Sequence, residues 1–265
     1  MKRQSTNVRK LTIIAMLGAI TVVLALTPLG FIPIGPLNAT TMHIPVIVAG
    51  VLEGPIAGAA VGLIFGCSSL FNHIVRPTPL SPIFYNPLIS ILPRVLIGLI
   101  ASALYSRLRG KSSVTMKGLV VALFVVLIGF LSWQGWRSFG EHGWAVRTIV
   151  PIVLAVFAIV LIPLSLKKLE RNPAVILTAF LTTLAHTVMV MGGIYFLYAE
   201  KYLSVMAPGA SLSLARNIIF GVILTSGLPE AMVASLVTVG VVGALHKANG
   251  QGKELSEKQV ESEKR

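Results

Sequence analysis

Between Asn38 and Arg94 apolar runs alternate with proline-broken turns, and a glycine ladder lies at the centre. Gly58, Gly62 and Gly66 recur every fourth residue, with Ala59 and Ala60 beside them. On a helix that spacing makes one smooth stripe, against which a second helix backbone can pack closely. Glu53-Gly54-Pro55, ahead of the ladder, leaves room only for a tight turn. After it, Asn72 to Pro79 is polar and broken by prolines. Tyr85-Asn86-Pro87 then opens another apolar run, which carries Arg94 well inside it. An arginine at that depth is costly unless it faces a partner, a cavity or a ligand.

Apolar runs of this density belong in a bilayer. The chain is 55% hydrophobic and 12% charged, with a mean hydropathy of +0.85. A soluble domain has about a quarter of its residues charged. The fold class expected is therefore an all-α integral membrane protein. The net charge of +13 would suit nucleic acid. However, the basic residues sit in short connections between apolar runs, where membrane topology signals lie, so no nucleic-acid partner is expected. The single Cys67 excludes an internal disulfide and reads as a small packing residue.

Taken in order, Leu11–Thr27 is the first expected helix, ended by Pro28. Lys2, Arg3, Arg9 and Lys10 precede it as they would a signal peptide. The run is long for that role, and proline stands where small cleavage-site residues belong, so it is read as a retained span. Residues 28–42 are too apolar for a solvated loop and too proline-rich for a helix. Such backbone is tolerated at membrane depth only when buried in protein or lining a cavity. His43–Leu52 and Ile56–Phe71 are expected as short helices, below the roughly 20 residues of a full span. Short, interrupted segments of this kind point to a binding site. Asn86–Ser106, Leu119–Trp133, Ala145–Leu166 and Pro173–Ala199 follow as further helices. Trp133, Trp136 and Trp144 form an aromatic belt between the fifth and sixth. Residues 200–216 read as a polar loop and Asn217–Leu228 as a half-length apolar piece. Pro229-Glu230 opens the eighth helix, with the acid in its first turn. From His246 to residue 265 a solvated, charged cytoplasmic tail is expected.

With the N-terminus inside, only Arg76, Arg94, Arg137, Arg147, Lys201 and Arg216 of the 22 Lys and Arg fall outside or within the spans. The excess of cytoplasmic cations predicts eight spans with both termini cytoplasmic.

Enzyme chemistry finds little support. The chain contains no aspartate, which removes Asp-dependent triads and Walker B carboxylates. Gly110-Lys111-Ser112 resembles the end of a phosphate loop, but the required glycine at position 105 is Tyr105. The five histidines lack metal-ligand spacing, and no cofactor or metal is expected. Candidate substrate-binding residues are His43, Asn72, Arg76, Tyr85, Asn86, Arg94, His186 and Glu230. Each has an ordinary alternative. Asn86 caps a helix before Pro87, Glu230 answers a helix dipole, and His43 caps its own helix. Thr182, Thr183 and Thr187, which cluster with His186, can bond back to their own helix. Convergence favours a site. Asn72, Arg76, Tyr85, Asn86, Arg94 and the 200–217 stretch all fall on the outer half of the derived topology.

Several of these pieces stand in a familiar order. Ala15-x-x-x-Ala19, Thr41-Met42-His43-Ile44-Pro45, Leu52-Glu53-Gly54-Pro55, the glycine ladder, Phe84-Tyr85-Asn86-Pro87 through Leu92-Pro93-Arg94, and Gly227-Leu228-Pro229-Glu230-Ala231 run in sequence. Together, across residues 8–110 and 173–246, they resemble the substrate-binding S components of energy-coupling factor (ECF) vitamin transporters, closest to the pantothenate-type branch. The resemblance implies a six-helix membrane bundle in a prokaryotic plasma membrane that captures a vitamin from outside. It implies as partners a transmembrane T subunit and two ATP-binding subunits, reached through the small-residue face at Ala15 and Ala19. It implies gating by the loops at 28–42 and 72–85. Residues 113–170 exceed the six-helix pattern and read as an inserted transmembrane hairpin. The alternatives are an S component for riboflavin, biotin or folate, and a self-sufficient secondary transporter of a small organic anion.

Overall fold

A computed structural model describes residues 2–34, 37–142 and 173–263, with isolated positions between 149 and 159. The chain folds as α1 (Lys2–Leu26), a hairpin of β1 (Phe31–Ile34) and β2 (Leu37–Thr40), α2 (His43–Glu53) and α3 (Pro55–Val75). Then come the single turns α4 (Ser81–Phe84) and α5 (Pro87–Ser90), α6 (Leu92–Leu108) and α7 (Ser113–His142). The last elements are α8 (Pro173–Met206), α9 (Ala215–Val222) and α10 (Leu228–Glu263). Five stretches are long and apolar enough to cross a membrane: Pro55–Val75, Pro87–Leu108, Val114–Gly140, Pro173–Met206 and Leu212–Lys247. Lys10–Leu26 and His43–Glu53 are shorter apolar helices. The all-α membrane class is borne out. The expected span Ala145–Leu166 lies largely outside the described residues, and Trp144 and Arg147 lie wholly outside them.

The glycine ladder does what its spacing predicts. A Cβ on Gly58 would stand 2.6 Å from the Gly98 carbonyl oxygen, and one on Gly66 2.8 Å from the Ile91 Cα. A Cβ on Gly62 would overlap the backbone carbonyl of Arg94 itself. Helices α3 and α6 therefore meet backbone to backbone, as small-residue faces allow. Gly50 of α2 joins the same seam against Gly98 and Ala101. Cys67, expected to pack, faces outward from α3 instead.

Several boundaries differ from expectation, each for a local reason. Within residues 28–42, expected to be neither solvated loop nor helix, Phe31–Ile34 and Leu37–Thr40 pair as antiparallel strands in the register Phe31↔Thr40 to Ile34↔Leu37. Pairing satisfies the backbone groups that a bilayer cannot. Thr41 ties the base, its N–H donating to Gly30 O at 3.2 Å and its Oγ1 to Leu29 O at 2.9 Å. Helix α3 reaches 21 residues, a full span rather than a short one. The run from Asn86 is not one helix but breaks at Ile91, where φ is −108°. Helix α8 passes through the expected loop to Met206 with a kink at Tyr198 (φ −142°, ψ 24°). Pro229 does not start a free helix. The chain is helical from Ala215, crosses a π turn at Ile223–Gly227, and continues as α10. Pro229 has no N–H for the Thr225 carbonyl, so the ladder is forced out of register there. The expected solvated tail is helical as far as Glu263.

Buried apolar residues form two clusters. A large one centres on Val46, Ile47, Val61, Phe65, Ile97, Val175, Ile176 and Met232. A smaller one holds Ile83, Ile89, Val190, Ile194, Tyr202 and Ile219. A cavity lies where they meet.

Candidate ligand-binding cavity

The cavity has a volume of about 210 Å³. Thr40, Met42, Phe65, Ser69, His73, Thr78, Leu80, Phe84, Arg94, His186, Thr187, Val190, Met191, Ile194, Tyr202 and Glu230 line it. Its walls come from both halves of the chain. The ladder helix α3, the α4 turn and α6 form one side, α8 and α10 the other, and the end of the β hairpin closes between them.

Proline chemistry positions Arg94. Pro93 lacks the N–H that would satisfy the Ile89 carbonyl four residues earlier, so that carbonyl is orphaned at the Ile91 break. The Arg94 Nη1 donates to it. The guanidinium also lies over two rings, 5.4 Å from the Phe65 centroid and 6.0 Å from that of Phe84. Ring faces attract a cation at such distances. Arg94 is 5% exposed, and its Nε has no hydrogen-bond partner among the described residues. One edge of the fork is thus fixed while the residue faces a cavity.

Glu230 supplies the opposite charge. Its Oε1 accepts from Thr40 N at 3.2 Å and Thr40 Oγ1 at 2.9 Å, with His43 Nδ1 3.3 Å away. These contacts join the start of α10 to the end of the hairpin and the first residue of α2. His43 in turn stacks on His186, centroids 6.0 Å apart at 21°. His186 also meets the Phe65 ring at 6.0 Å. The Nε2 atoms of both histidines are buried without hydrogen-bond partners among the described residues. No Arg94–Glu230 ion pair closes the cavity; the described carboxylate contacts go to Thr40 and His43.

Three of the expected residues, Arg94, His186 and Glu230, line the cavity, and His43 stands directly behind it. The others lie elsewhere. Asn86 caps α5, its Oδ1 accepting from Leu88 N at 2.9 Å, while its Nδ2 donates to Tyr198 Oη at 3.1 Å. Arg76 Nη1 donates to Leu26 O at 3.5 Å, and Tyr85 is 44% exposed with its hydroxyl on His73 O. The Asn72 carbonyl ends α3 by accepting from Arg76 N. These four hold the loop at 72–86 against α1 and α8 rather than reaching the cavity. Their outer-half placement was legible, but side-chain direction was not.

Sequence reading passed over His73, Phe65, Phe84, Thr40 and Tyr202. His73 stacks flat on Phe84 (4.5 Å, 3°) and bonds Ser81 Oγ at 3.0 Å, which joins the α4 turn to the end of α3. Phe65, Ser69 and His73 share one face of α3 at i, i+4 and i+8, a signal available in the sequence. Tyr202 was hidden in the supposed polar loop. The buried Thr183 and Thr187 do bond back to their own helix, at Ala179 O and Thr183 O.

The docking candidates Ala15 and Ala19 lie on the outward face of α1, while Leu17, Thr21 and Ala25 form its buried stripe.

Residues 9–139 match the family described as ECF transporter, substrate-specific component. That segment, a little under half of the chain, is what is similar to the family. The match covers the hairpin, the glycine seam and Arg94, and runs on through α7, which the sequence reading assigned to an insertion. His186 and Glu230 lie beyond it and join the site by geometry alone. The family's description is that of a transporter component rather than an enzyme. No curated protein matches the chain.

Proposed function

We propose that this protein is the high-affinity substrate-binding subunit of an ECF-type importer, that the cavity holds a small anionic vitamin, and that pantothenate fits it best. The observation that carries this reading is Arg94, a buried guanidinium that faces the cavity and makes no ion pair with Glu230, the carboxylate in the same wall. A ligand carboxylate would pair with it, in the bidentate geometry that suits arginine. Size supports the choice. At about 210 Å³ the cavity falls below the roughly 300–1,000 Å³ that accommodates drug-sized ligands. That favours a compact aliphatic acid over flavin or folate. The rings lining the cavity are also engaged already, His73 with Phe84 and His186 with His43.

Pantothenate and its alcohol analogue panthenol differ only in the carboxylate. Titration calorimetry on the purified protein should show panthenol binding about tenfold or more weakly, the loss of one charge-assisted hydrogen bond of ~1.5–3 kcal/mol. Equal binding of the two would remove the anion from this reading.

The distribution of Lys and Arg supports cytoplasmic termini, with the cavity toward the outer side. The T subunit docks on the outward face of α1. Ala15→Trp or Ala19→Trp should abolish uptake in cells and leave pantothenate binding to the isolated protein within about threefold. Bulky side chains hold helix backbones apart without reaching the cavity. Equal loss of binding and uptake would place these alanines inside the protein's own packing. Uptake that persists without an ATPase partner would overturn the ECF reading itself.

A further inference from the structure

We infer that Glu230 forms a second recognition point in the cavity, reading a hydroxyl donor on the ligand, so that the substrate class is a hydroxylated aliphatic acid. The inference rests on the proposed function and adds to it the chemistry of a contact other than that with Arg94.

The two oxygens of Glu230 are unequal. Oε1 is surrounded by Thr40 N, Thr40 Oγ1 and His43 Nδ1, all within 3.3 Å. Oε2 has no protein donor among the described residues, although the side chain is 11% exposed and lines the cavity. Oε2 opens on the cavity, and a ligand that shields a carboxylate oxygen from water must give it a donor in exchange. A ligand hydroxyl would supply one. The wall also includes Val190 and Ile194, which suit an aliphatic body. The lining thus combines apolar side chains with an acceptor and a cation.

Thr40 also determines what an amide would do at position 230. Its backbone N–H and hydroxyl both donate there and require an oxygen at the Oε1 position. Glu230→Gln therefore turns its NH2 toward the cavity and replaces an acceptor with a donor. Sites built to bond a ligand hydroxyl reject the analogue that lacks it far more strongly than apolar pockets reject a size change.

The test compares pantothenate with N-(3,3-dimethylbutanoyl)-β-alanine, the same acid stripped of both hydroxyls, by calorimetry on the full-length protein. Wild type should prefer pantothenate by about 10- to 150-fold, the range of one hydrogen bond to a charged group. Glu230→Gln should lower pantothenate affinity, leave the stripped acid within about threefold, and shrink the preference below about fivefold. A preference that survives in Glu230→Gln, or equal loss of both acids, would overturn the subsite. Wild type alone also decides it, since equal binding of the two acids means no hydroxyl is read. Those outcomes leave the anion reading standing. Binding of neither acid by wild type would overturn the pantothenate reading, and this subsite with it.

Discussion

Arg94→Ala should weaken pantothenate binding by about thirtyfold to several-thousandfold, the range expected when a desolvated charge pair loses one partner at ~2–5 kcal/mol. The reason is local. The guanidinium is 5% exposed, anchored through Nη1 on the carbonyl that Pro93 leaves unpaired, and flanked by Phe65 and Phe84. Arg94→Lys should fall between wild type and alanine, because an ammonium keeps the charge but cannot hold Ile89 O and a carboxylate in one planar fork. Binding measured beside thermal unfolding separates ligand recognition from support of the helix break. A lower Tm with unchanged Kd would make Arg94 a structural clasp for the Ile91 break and nothing more.

Gly62→Leu should leave little folded protein, and Gly62→Ala should lower both stability and affinity. Even a methyl group at position 62 meets the Arg94 carbonyl and stands 3.0 Å from the Val95 Cα. Backbone cannot rotate aside as a side chain does, so α3 and α6 must separate, at a cost of about 1–3 kcal/mol or more for overpacking. Separation moves Arg94 itself, so affinity for pantothenate should fall with Tm. Gly129→Ala in α7 is the control. A Cβ there meets nothing within 4 Å, and alanine inside a helix gains about 0.5–1 kcal/mol over glycine. If Gly62→Ala is as well tolerated as Gly129→Ala, the two helices do not meet backbone to backbone.

The sequence by itself determined the class of environment and the main contact. Apolar runs too long and too uncharged for water imply a membrane, and a four-residue glycine period implies a close helix seam. Both are properties of short windows, since period and hydropathy need no knowledge of distant residues. The cost of burying a guanidinium likewise singled out Arg94 from position alone. Polarity at 200–216 misled, because Glu200 and Lys201 extend a helix past a bend at Tyr198 instead of ending it. Polar character reports exposure of side chains, not the path of the backbone.

Only the tertiary structure decided which polar groups meet. Thr40 and Glu230 are 190 residues apart yet share a hydrogen bond, and His43 stacks on His186 across two helices. Asn72, Arg76, Tyr85 and Asn86 stood on the same side of the topology as the cavity but turned to cap helices and tie down a loop. Which of several polar residues turns inward depends on packing between helices distant in sequence. Local periodicity fixes the face of each helix, and only the assembled bundle fixes what that face meets.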